Sequence, residues 1–106
     1  MHPIKEKFRS TARERSGLLL FSSADAIHVI DEAKKRNALV LGIDGIFLLG
    51  NVDQPSLEDS VDYTASGGPK GDVHAMAIEF VKRHNNSDLY FDIVLGPESD
   101  GRMSND

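Results

Sequence analysis

Apolar positions along the chain fall into two helical and two extended stretches. Ala26, Val29, Ile30 and Ala33, with Ile27 at the margin, recur at three- and four-residue steps and predict an amphipathic helix between Ser22 and Asn37. Ser22 with Asp25 three residues later imitates a capping box, and Lys34, Lys35 and Arg36 complement the dipole at the other end. A second stripe, Val73, Met76, Ala77, Phe80, Val81 and His84, predicts a helix that Asp72 caps and Asn85-Asn86-Ser87 ends. From Ala38 the period drops to two, with Leu39, Leu41 and Ile43 on one face and Val40, Gly42 and Asp44 on the other, as in a central strand. Residues 89 to 95 repeat the pattern, with Leu89, Phe91, Ile93 and Leu95 set against Tyr90, Asp92 and Val94. Leu18 to Phe21 is a short apolar strand or lead-in.

The intervening segments are less regular. Asp44-Gly45 between two apolar runs favours a tight turn that pairs residues 39 to 43 with 46 to 50. The alternative is a strand that bends at Gly45 and turns only at Gly50-Asn51. Residues 54 to 60, with Pro55 near their start and Ser56 facing Asp59, suggest a turn of helix or a structured loop, and Val61 to Thr64 a short edge strand. Ser66 to Gly71 has the composition of a flexible connector. The fold class expected is α+β: a small antiparallel or mixed sheet of three to four strands with two helices packed on one face. Residues 1–17 form a basic N-terminal arm, mobile or loosely docked, residues 18–96 a single domain, and residues 97–106 a polar tail expected to be disordered. If the helices cover one sheet face, Asp44, Tyr90 and Asp92 point to the other.

Charge sharpens this picture. The formal charge is −5, but residues 1 to 16 carry +3, leaving −8 on the remainder. Between Asn37 and Pro69 there is no Lys or Arg, while Asp44, Asp53, Glu58, Asp59 and Asp62 are all acidic. Such a surface repels phosphate backbones, so nucleic acid is not an expected partner. The chain has no cysteine, which closes disulfide, thiolate-metal and cysteine-nucleophile chemistry. No apolar run approaches the length of a membrane span, so no membrane partner is expected and the reading is a soluble, cytoplasmic protein.

Catalytic patterns are incomplete. The five carboxylates match no cation-binding loop, and Gly67, Gly68 and Gly71 lack the Walker arrangement because Lys70 precedes the last glycine. His28 and His74 fall on helix flanks, His84 falls at a helix end, and no Gly-x-Ser-x-Gly elbow accompanies them. These absences predict no enzyme activity and no cofactor. Asp44, Asp53, Glu58, Asp59 and Asp62, with Tyr63 as an aromatic anchor, are instead the candidate partner-binding residues, the partner being basic.

The runs Val40 to Phe47, Gln54 to Tyr63 and Tyr90 to Leu95 together resemble small bacterial immunity-type proteins, the kind encoded beside secreted toxins. The likeness covers roughly residues 18 to 96. It implies a small acidic inhibitor that blocks a toxin by direct binding, with no catalytic residues to carry over. Two alternatives use the same features: a metal-assisted hydrolase built on Asp44, Asp53, Glu58, Asp59 and Asp62, and a module that pairs with a copy of itself as a homodimer.

Overall fold

Both predicted helices form where their caps stand. In the computed structural model, which describes residues 2–65, 68 and 71–98, α2 spans Ser23–Lys35 and α3 spans Val73–Arg83. The Ser22 hydroxyl accepts from the Asp25 N–H, and the Asp72 carboxylate accepts from the N–H groups of His74 and Ala75. Asn37 ends α2 in the left-handed region (φ 59°), so that its N–H reaches Lys34 O and the Ala38 N–H reaches Ala33 O. Ala26, Val29, Ile30 and Ala33 are all buried, as their spacing requires. On α3 the buried stripe is Val73, Ala77 and Val81, while Met76 faces outward.

The long hairpin differs from the favoured expectation. β3 (Val40–Leu49) runs through Asp44-Gly45 without turning and reverses at Gly50-Asn51 into β4 (Val52–Asp62), Leu49 facing Val52. Gly50 supplies the positive φ (65°) of this two-residue loop. Gly45 is needed for another reason: a Cβ there would overlap the Asp59 carbonyl oxygen and lie 2.7 Å from the Asp59 Cβ. Residues 54–60 are strand where a helical turn or loop was expected. Pro55 is tolerated because β4 is the edge of a sheet ordered β4-β3-β5, with β5 at Leu89–Leu95. Every pairing in it is antiparallel.

A second irregularity moves the face of β3. Val40 pairs with Leu95 but Gly42 pairs with Val94, so one residue of β3 is extra at Leu41. Val40 and Ile43 consequently share the inner face, and Leu39, expected in the core, is 58% exposed. Inside, Ile43 stands opposite Ile93, Gly45 opposite Phe91 and Phe47 opposite Leu89. α2 packs on this face along β5, with α3 beside it against β3. The chain is thus an α+β fold with its two longer helices on one side of a three-stranded sheet.

The N-terminal segment, set apart as an arm from its composition, joins this body. Ile4, in the short helix α1 (Pro3–Lys7), is fully buried among the core residues. Lys5 and Lys7 reach Asp92 (3.0 Å) and Glu32 (3.2 Å), and His2 Nε2 lies 2.7 Å from Gly96 O. β1 (Arg13–Arg15) and β2 (Leu18–Leu20) form a hairpin through Ser16-Gly17, both with positive φ, and Phe21 then bridges to Phe91. The expected connector at Ser66–Gly71 and the polar tail fall largely outside the described residues.

Candidate functional site

The outer face of the sheet is where the acidic residues gather. Inner positions of β3 and β5 take Ile43, Phe47, Phe91 and Ile93, so strand alternation sends Asp44, Ile46, Tyr90 and Asp92 outward. The β1–β2 hairpin covers one end of that face: the Arg13 guanidinium lies 5.2 Å from the Tyr90 ring centroid, and Arg15 is 3.5 Å from the Asp53 carboxylate. Leu18 and Leu20 face Ile46 and Pro55 there. The other end stays open.

At the open end Asp44 stands directly opposite Asp92 across the β3–β5 ladder, and Asp62 flanks them beside Gly42 on β4. Like charges in directly opposed positions destabilise a sheet, so this pairing runs against the electrostatics of folding. Asp92 is 7% exposed and neutralised by Lys5. Asp44 has no cationic partner among the described residues. Partial desolvation first, then the carboxylates of Asp92 and Asp62, push the Asp44 carboxyl above its usual range. Asp62 is held below its usual range by the Thr64 hydroxyl and N–H, both of which donate to it, so it stays ionised.

Apolar side chains wall this acidic floor. A hollow of about 340 Å³ is lined by Leu41, Val61 and Val94 together with Asp44 and Asp62. Across Val94 a second hollow of about 320 Å³ holds Asp92, Lys5 and His2. The first hollow thus combines apolar walls at Leu41, Val61 and Val94 with two carboxylates, a lining complementary in kind to an aliphatic stem that ends in a positive charge.

The residues singled out from sequence do not form one patch. Asp44 and Asp62 come together. Asp53 lies on the same face but at the covered end, against Arg15. Glu58 is exposed on a bulge of β4, where three additional residues separate the pairs Gly45–Ser56 and Ile43–Val61. Asp59 turns toward the helices: the Ser56 hydroxyl donates to it at 2.6 Å and His84 Nδ1 lies 2.6 Å away. Ser56 first, then His84, holds its carboxyl below the usual range. Tyr63, expected as an exposed anchor, is 8% exposed, because the β4 end folds it into the core while its N–H donates to Leu41 O. His74, expected on an exposed flank, reaches Ala38 O through Nε2 at 2.7 Å.

Sequence reasoning missed Asp92 and Lys5 as site residues. The alternation of β5 did mark Asp92 as outward-facing, but its position opposite Asp44 depends on a register fixed between distant strands, and Lys5 arrives from α1. Among the described residues no group of three or more His, Asp and Glu is placed to hold a metal ion. Within the same residues no helix is long and apolar enough to cross a membrane. No protein-family model matches the chain, and no curated protein matches it.

Proposed function

We propose that this chain is an acidic protein-binding module of the immunity type, an inhibitor that blocks a basic partner by seating one of its lysine or arginine side chains between Asp44 and Asp62. The observation that carries this reading is the position of Asp44: opposite Asp92, near Asp62, and without a counter-charge among the described residues. A partner's cation relieves that repulsion, whereas an anion or a phosphate backbone aggravates it. The apolar walls of the hollow favour a side chain with a long aliphatic stem over a hydrated ion. Acidic charges at Asp44, Asp62 and Glu58 also steer a basic partner and speed its association. Of the carboxylates expected to bind, Asp53 and Asp59 are engaged by Arg15 and by Ser56 with His84, so their role is to hold the face in shape.

The test is capture from the source organism's lysate, with the wild-type chain and the double variant Asp44→Lys/Asp62→Lys as baits at low and at high salt. The wild type retains a basic protein that high salt releases. The variant, folded by circular dichroism, binds that protein at least about tenfold more weakly, because two opposed charges are reversed at the contact. A partner retained equally by both baits would overturn the assignment.

A further inference from the structure

Beside the acidic hollow, the bulge of β4 and the groove behind it form a matched knob and socket, and we propose that two copies of the chain associate through them as a twofold dimer. The knob is Leu57, 92% exposed at the tip of the bulge. Its support is rigid. The Ser60 hydroxyl accepts from the Gly45 N–H at 3.0 Å and donates to Ser56 O at 2.7 Å, while Asp59 is gripped by Ser56 and His84. A leucine held in water on a fixed mount loses little conformational freedom on docking.

The socket lies between the end of β4 and α3, a groove of about 460 Å³ whose apolar lining is Val61, Tyr63, Met76 and Phe80. The Asp59–His84 contact ties knob to socket, since His84 stacks on Phe80 with ring centroids 4.2 Å apart. Charge completes the match. Glu58 follows Leu57 at the knob; the socket carries Arg83 at its His84 end, with Glu79 one helical turn before it, so the pairing is with the Arg83 end of the groove. Glu58 and Arg83 are both exposed, and neither makes an ion pair among the described residues.

A twofold axis between knob and socket places each Leu57 in the other copy's groove and each Glu58 against the other's Arg83, the reciprocity of an isologous interface. A second copy is the occupant because one surface carries both halves of the apolar contact and both signs of charge. The competing route, edge-to-edge pairing of β4, is opposed by Pro55. Leu48 donates its N–H toward Asp88 O on the β5 side, so alternation turns the backbone of Asp53 and Pro55 outward, where proline has no N–H to offer.

Sedimentation equilibrium over a concentration range of about 1 to 200 µM tests this, a span that brackets weak to moderate dimer affinities. The expected wild-type mass doubles across it. Leu57→Ala, Glu58→Arg and Arg83→Glu each weaken association about tenfold or more, as central apolar and charged contacts do. The double swap Glu58→Arg/Arg83→Glu restores the dimer, which a merely structural effect would not do. All three side chains are exposed or at the surface rim, and thermal unfolding verifies that the variants remain folded. A monomeric mass throughout, growth beyond the dimer, indifference to Leu57→Ala and Glu58→Arg, or failure of the swap each overturns the proposal. Val61 borders both hollows and Glu58 serves both readings, so the two are told apart by variants that touch one alone: Asp44→Lys/Asp62→Lys leaves Leu57 and Arg83 in place, and Leu57→Ala leaves both carboxylates of the acidic hollow in place.

Discussion

Asp44 is the residue whose environment disagrees most with its chemistry. Its carboxyl titrates above its usual range, so in the acid region the folded chain binds more protons at this position than the unfolded chain does. Stability from this group is therefore greatest at low pH and falls as pH rises through its raised pKa, the opposite of the common carboxylate. Asp44→Asn removes the fall: the variant is expected to be more stable than wild type at pH 7 by roughly 0.2–1 kcal/mol, the scale of a directly opposed cross-strand pair. Urea titrations at pH 3 and pH 7 measure it, and a variant less stable than wild type at pH 7 would show that Asp44 has a favourable partner within the fold. Asp59 behaves in the ordinary direction. Its lowered pKa gives a contribution that is present at neutral pH and lost as pH drops through that value.

At the scale of elements, the β4 bulge and Gly45 require each other. The bulge presses the Asp59 backbone onto β3 at Gly45, where no side chain stands in the way, and the Gly45 N–H there binds the Ser60 hydroxyl. Gly45→Ala is expected to destabilise the chain by roughly 1–3 kcal/mol, as overpacking does, and to displace the bulge. An unchanged denaturation midpoint, with Leu57 and Glu58 amide resonances unmoved, would refute that dependence. The same bulge explains why β4 was hidden in the sequence. Three additional residues erase a two-residue period, and Pro55 with the Ser56-Leu57-Glu58-Asp59-Ser60 run has the composition of a turn. α2, α3 and β5 were legible because their periods are unbroken and Ser22 and Asp72 cap as their side chains dictate. The face of β3 was misassigned at its start, where the extra residue at Leu41 exchanges Leu39 for Val40. Asp44 and Asp62 were legible as members of a segment without basic residues. Their juxtaposition with Asp92 and Lys5 was not, because register and tertiary docking create it.

On the scale of the molecule, the first residues complete the core. Ile4→Ala is expected to cost about 2–5 kcal/mol, a large share of the roughly 5–15 kcal/mol that holds a domain of this kind together. Chemical denaturation followed by far-ultraviolet circular dichroism checks this; a midpoint equal to wild type would mean that α1 docks without contributing to stability. The basic charge of the N-terminal segment has the same structural use, since Lys5, Lys7 and Arg15 meet Asp92, Glu32 and Asp53 and leave Asp44 and Asp62 as the open negative face. Lys5 and Asp92 lie 87 residues apart in sequence, and His2 and Gly96 lie 94 apart. Contacts of such span form only after the whole intervening chain exists. During synthesis, α1 therefore leaves the ribosome long before β5 has been made, and Lys5 waits in solvent for the carboxylate that will neutralise it. A nascent chain arrested before residue 89 has the β3–β4 hairpin but lacks β5 on the other side of β3 and the counter-charge for Lys5, so this fold closes late.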